Sequence, residues 1–347
     1  MRYATGTLLL ILLAPACTPL PAAAPPQKFP TPPPPVTAEN SIIGPDYANP
    51  PEATADPAVP QGDIREFILY SADSKTYPGI VRIADMKRDA YGNYVIPPGG
   101  ISAPGPYERH VWVYIPKQVQ PNAPFMVVQD GHSYVKRMVN ILDNMIAAKR
   151  LPPMVVVFAD SGGGDAQGSE RGLEYDTISS RYGAWVENEL LPAVTKNTGV
   201  TLTGDREGRA AMGGSSGGIA AFTMAWTHLD RYSKVLSYSG TFVNQAWPPD
   251  PITPRGGWEY HDRLIPESMK VPIRVWMEVG EKDNRFDVPE DTWHNWPLAN
   301  NRMAAAFRKK GYDYRYVFAL GAGHVDGRVV MQTLPSALEW LWRDYPR

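Results

Sequence analysis

Six consecutive small residues, Gly213-Gly214-Ser215-Ser216-Gly217-Gly218, stand between a short apolar run, Ala210–Met212, and a helix-like run, Ile219–Trp226. A strand that turns at once into a helix lifts a side chain above a sheet only through a strained backbone, and the neighbours must lack side chains that would collide. The string is therefore G-x-S-x-G in the setting strand, sharp turn, helix, which makes a serine hydroxyl a nucleophile. Two registers overlap, one centred on Ser215 and one on Ser216. Close packing of the helix on the sheet favours small residues two and three positions past the nucleophile. For Ser215 these are Gly217 and Gly218; for Ser216 the second is the bulky Ile219. The spacing selects Ser215 and leaves the Ser216 amide to an oxyanion hole.

The ends of the 347-residue chain read differently from its middle. Residues 1–16 have the pattern of a signal peptide: Arg2, an apolar stretch Leu8–Leu13, then the small residues Ala14-Pro15-Ala16. The apolar stretch is too short to span a bilayer. Cys17, the single cysteine, follows at the place where bacterial lipoproteins are lipidated; loss with, or survival beside, ordinary cleavage is the alternative. Residues 17–62 are rich in proline and alanine, which predicts a disordered spacer that ties the anchor to the folded part. The chain is thus expected to be exported, to the periplasm or outer surface, with the membrane touched only through that anchor. Its charge is balanced, 34 basic against 36 acidic residues, with no basic stripe, so nucleic acid is not an expected partner.

From Ile64 onward apolar strand-like runs alternate with helical periods. Strands are predicted at 64–70, 110–115, 125–128, 154–159, 209–212, 235–238, 273–279 and 314–320. Helices are predicted at 138–149, 182–195, 219–227, 298–309 and 334–343. Several strands are apolar without alternation, as strands covered on both faces are. This predicts a doubly wound α/β domain over 63–347 with a mostly parallel sheet, interrupted by an insertion at 84–107 that either shapes a substrate entrance or is neutral surface.

A serine at its free pKa needs a base, and the base needs an orienting acid. After an elbow of this kind the order along the chain is Ser, acid, His, each at a strand's C-terminal end. Only His324, directly after the strand 314–320, meets that requirement among six histidines. The strand 273–279 runs into Gly280-Glu281-Lys282-Asp283; Asp283 has the reach to bend back over the sheet, with Glu281 and Asp287 as rivals. The second oxyanion donor is expected in the turn Gln129-Asp130-Gly131-His132, at Gly131 or His132; an ordinary Asp-Gly turn is the alternative.

These stretches resemble the putative esterase family of α/β-hydrolases, which includes enterochelin esterases, esterase D-like enzymes and feruloyl or acetylxylan esterases. The likeness lies in the elbow followed by Ile219-Ala220-Ala221-Phe222, the Gln129-Asp130-Gly131 turn, Glu189-Leu190-Leu191-Pro192, and the tail from Gly321-Ala322-Gly323-His324 to Glu339-Trp340-Leu341-Trp342-Arg343-Asp344. In that family the first of two such serines is the nucleophile. The resemblance implies ester hydrolysis; a small-molecule or glycan-linked ester is the expected substrate, with sugar, aryl and siderophore esters as the classes in view. An acyltransferase on the same fold and a non-catalytic binding lipoprotein are the competing functions. No H-E-x-x-H, paired-cysteine or G-x-x-x-x-G-K-[ST] string occurs, so no metal or cofactor is expected. Trp247, Trp258, Trp293 and Trp296 either stack on a sugar or aryl group or pack the loops around the acid. Arg171, Glu174 and Tyr175, past Ser161-Gly162-Gly163-Gly164, read as a surface turn rather than as pocket lining.

Overall fold

The computed structural model describes residues 29–79, 87–88, 94–95, 106–164, 168–246 and 250–347. The 1–16 leader, Cys17, most of the 84–107 insertion and Trp247 lie outside the described residues. The strands are β1 (Asn40–Ile43), β2 (Asp63–Tyr70), β3 (Lys87–Arg88), β4 (Tyr94–Val95), β5 (Glu108–Ile115), β6 (Phe125–Gln129), β7 (Val155–Ala159), β8 (Arg209–Gly214), β9 (Lys234–Tyr238), β10 (Arg274–Gly280) and β11 (Asp313–Ala319). The helices are α1 (Val135–Ala147), α2 (Glu170–Tyr175), α3 (Arg181–Trp185), α4 (Leu191–Thr198), α5 (Ser216–Thr227), α6 (Ile265–Glu267), α7 (Trp296–Lys310) and α8 (Gly327–Leu341).

Nine of these strands form one sheet in the order β1-β11-β10-β9-β8-β6-β7-β5-β2, and β3 pairs only with β4. Every neighbour pair in the large sheet is parallel except those made by β5. The central strands are buried on both faces because helices cover both. On β6, Phe125 and Val127 join a core with Trp185 of α3, Ile219 of α5 and Phe307 of α7; Met126 and Val128 face Met138 and Leu142 of α1 and Leu338 of α8. That is why the strand lacks a polar alternation. The fold is that of an α/β-hydrolase, with β8, β10 and β11 ending on the same side and delivering their following turns to one edge.

Two of the expected helices differ in the structure. The predicted helix 182–195 is broken into α3, a wider turn over Val186–Leu190, and α4, because Pro192 has no N–H to continue the ladder. The closing helix starts at Gly327, well before 334, and runs through Pro335.

The spacer expectation for 17–62 is corrected over the described stretch. Asn40–Ile43 adds a parallel strand to the open edge of β11, pairing Ser41 with Val317 and Ile43 with Ala319. Tyr47 donates to the Leu320 carbonyl at 2.6 Å, Asn140 to that of Ala53 at 2.9 Å, and the Gly62 amide to Asp143 at 2.8 Å. Composition measures what a segment can bury by itself. Here the sheet edge supplies the partners that the segment lacks, and covering that edge removes a site for unwanted pairing.

Candidate active site

The elbow is built around Ser215, whose backbone takes φ 57° and ψ −127°, a region that residues with a Cβ rarely occupy. The strain is held by four hydrogen bonds: Ser215 N–H donates to the Tyr238 carbonyl (2.9 Å), and its carbonyl accepts from Gly218 (2.9 Å), Thr241 (3.1 Å) and Ile219 (3.3 Å). Close approach explains the glycines. A Cβ on Gly213 would lie 2.3 Å from the Gly217 carbonyl, and one on Gly218 would lie 2.6 Å from Ser237 Oγ. Ser216 opens α5 and points elsewhere: it is fully buried and its hydroxyl donates to Asp176 Oδ2 at 3.1 Å. As the first residue of α5, Ser216 also has an amide left without an intrahelical acceptor.

Asp283 and His324 meet Ser215 from the turns after β10 and β11. His324 Nε2 lies 2.8 Å from Ser215 Oγ, and His324 Nδ1 lies 2.5 Å from Asp283 Oδ1. A carboxylate only accepts, so Nδ1 carries the proton and Nε2 is left to accept the serine O–H. Asp283 is buried, and its Oδ1 also accepts the Asn284 amide at 2.6 Å. The imidazole is backed by the edge of Trp296, 5.9 Å away at 87°. Of the rival acids, Glu281 instead accepts the Gly321 amide at 2.8 Å, which closes the turn that carries His324. Beneath the site, burial holds the Glu278 carboxyl well above the usual carboxylate range, with Asp283 and Asp326 adding to the shift.

Ser215 and His324 open into a cleft of about 320 Å³ walled by Tyr134, Arg137, Gly214 and Val325. A second hollow of about 440 Å³ adjoins it and shares Asp130, Ser133 and Arg171. The surface-turn reading of Arg171, Glu174 and Tyr175 is thereby corrected. Arg171 grips Asp130 with Nε (3.0 Å) and Nη2 (2.7 Å) in the wall between the hollows. Glu174 is buried and paired with Arg109 (2.5 and 2.8 Å), and Tyr175 is buried beside them. No sequence signal links Arg109 to Glu174; the contact exists only because β5 is the reversed strand beside β7.

The oxyanion expectation is corrected at one residue. The His132 amide donates to Asp160 Oδ1 at 2.9 Å, and the exposed His132 ring binds the same oxygen at 2.8 Å. That N–H is engaged and is not free to receive an oxyanion. The Gly131 amide, held behind Asp130 in the left-handed region (φ 56°), has no acceptor among the described residues. The tryptophans divide similarly. Trp258 and Trp296 are buried packing groups, whereas Trp293 is partly exposed with the Arg255 guanidinium 5.8 Å from its ring.

A family model described as "Putative esterase" matches residues 102–327, well over half of the chain. A search of curated proteins finds the uncharacterized protein YbbA of Bacillus subtilis (strain 168), 22% identical over 260 residues, which covers 70% of this chain and 96% of YbbA. Among solved structures, the enterobactin esterase FES from Shigella flexneri aligns with a TM-score of 0.57 at 20% identity, covering 85% of this chain. The present chain spans only 63% of the length of that protein. The feruloyl esterase module from Clostridium thermocellum aligns at 0.50 and 17% identity, covering 90% of this chain and 98% of the module. At these identities the structural likeness speaks for the fold.

Proposed function

This chain belongs to the Putative esterase family, as a carboxylic ester hydrolase of α/β-hydrolase fold, and from that premise we propose that it works through a Ser215–His324–Asp283 triad and an acyl-enzyme. The observation that carries the reading is the continuous chain of contacts, 2.8 Å from Ser215 Oγ to Nε2 and 2.5 Å from Nδ1 to a buried carboxylate. Ser215 attacks the ester carbonyl while His324 takes its proton, and Asp283 holds the tautomer and stabilises the imidazolium. The amides of Ser216 and Gly131 receive the oxyanion. His324 then protonates the departing alcohol, and water resolves the acyl-enzyme by the same route in reverse.

The substrate is a small-molecule or glycan-linked ester. The names of two similar structures, an enterobactin esterase and a feruloyl esterase, set the classes to try first: siderophore esters and aryl-acid esters of sugars. The enzyme works outside the cytoplasm, exported by residues 1–16 and anchored through lipidated Cys17; the sequence pattern around the cut supports this. A fluorophosphonate tests the catalytic reading. Labelling at Ser215, with both labelling and ester hydrolysis lost in Ser215→Ala, is expected. Full labelling of Ser215→Ala together with its loss in Ser216→Ala would overturn it.

A further inference from the structure

Three helices begin at the cleft that holds Ser215. Tyr134 is the N-cap residue of α1, Ser215 is that of α5, and Val325 directly precedes Asp326, the N-cap of α8; all but Asp326 line the cleft. The first turns of α1 and α5 hold no acidic residue to offset the positive potential of their N–H groups. At α8, the Asp326 carboxylate is paired with Arg328 at 2.6 Å. Into this cleft α1 presents Arg137, which is exposed and has no hydrogen-bond or ion-pair partner among the described residues. The contrast is Arg171 in the same wall, locked on Asp130. The buried Tyr134 lines the cleft beside Gly214, and its hydroxyl has no partner among the described residues either.

An unneutralised guanidinium beside a triad opposes the step in which the histidine becomes a cation, since like charges in one cleft repel. A substrate that brings its own negative charge removes that conflict. The side of the cleft is also fixed. His324 must pass its proton to the leaving oxygen, so the alcohol portion departs over His324. Arg137 lies on that side, against the start of α8: a Cβ on Gly327, three residues past His324, would sit 3.3 Å from Arg137 Nη1. Glycine at that position leaves the guanidinium its room.

Resting on the triad reading above, we propose that Arg137 selects esters whose alcohol portion carries an anionic oxygen group, a carboxylate or a phosphate. The test compares kcat/KM of the full chain and its Arg137→Ala, Arg137→Glu and Lys136→Ala variants on 4-acetoxybenzoate, its neutral methyl ester and 4-acetoxyphenyl phosphate. Arg137→Ala is expected to lose roughly tenfold more on an anionic ester than on the neutral one, the scale of a charge-assisted hydrogen bond, and Arg137→Glu more still. Lys136→Ala, which removes the same charge from the same turn outside the cleft, leaves the ratio unchanged. The anion with the larger loss identifies the group the site is shaped for. Equal losses on charged and neutral esters overturn the proposal, as does a charge effect confined to an acyl-side probe, 4-nitrophenyl hydrogen succinate. In either case fluorophosphonate labelling of Ser215 persists, and the triad reading stands. Absence of both labelling and turnover in the unaltered chain would count against the triad instead.

Discussion

Ser215 occupies a backbone conformation that its neighbours make affordable, and that gives single substitutions large effects. Gly213→Ala would drive a methyl group to 2.3 Å from the Gly217 backbone, so the elbow must open. We expect a loss of roughly 2 kcal/mol or more in stability with a larger proportional loss of turnover, measured by urea unfolding and ester hydrolysis side by side. Asp283→Asn keeps the shape but removes the acceptor that fixes the His324 tautomer; kcat is expected to fall roughly 10³–10⁴-fold, with the fold unchanged by circular dichroism. A fall below tenfold would assign the orienting role to another acid. Ser216→Ala, by contrast, breaks only the hydroxyl's bonds with Asp176 and Gln245 and should keep Ser215 reactive toward the fluorophosphonate. Ser215, Asp283 and His324 could be singled out in the sequence because each follows a strand within a few residues, and the structure brings their side chains into contact. The His132 assignment failed for the opposite reason. Its amide is claimed by Asp160, the residue just past the end of β7, which local sequence does not reveal.

At the scale of elements, all eight predicted strands are present within a few residues; the central ones, such as β6 and β7, are buried on both faces and leave an uninterrupted hydrophobic signal, whereas β2 is a largely exposed edge strand. The ninth strand of the sheet, β1, has no such signal. Asn40-Ser41-Ile42-Ile43 lies in a proline-rich stretch, and its stability comes from the edge of β11 rather than from itself. The same holds for α2, six residues long, whose Glu174 is fixed by Arg109 of β5. The β1 pairing makes a prediction that composition alone denies. Deleting the chain through residue 45 removes β1 and the Thr31 hydroxyl bond to Asn295 Oδ1, the side chain that caps α7. The melting temperature is expected to drop by about 5 °C, corresponding to about 2 kcal/mol. An unchanged midpoint would mean that the strap contributes nothing.

For the whole molecule, pH stability and catalysis are separable. His261 is buried behind the site, and burial, followed by the charges of Arg302 and Arg255, lowers its pKa from 6.5 to about 3. A depressed histidine contributes stability that is complete above pH 6.5 and is lost as pH falls toward the folded value. By pH 4 the loss is about 3 kcal/mol, so His261→Gln should flatten the fall in unfolding free energy between pH 7 and pH 4, although it costs stability at pH 7. An equally steep fall in the variant would place the acid sensitivity elsewhere. The sheet brings three strand-end turns to one edge, and the account rests on that edge activating one hydroxyl. Rapid mixing with 4-nitrophenyl acetate tests it most directly. We expect a burst of about one 4-nitrophenol per chain, with the acetyl group recovered on the peptide that holds Ser215 and no burst in Ser215→Ala. A burst that survives Ser215→Ala, with the acetyl group recovered on another residue, would contradict it.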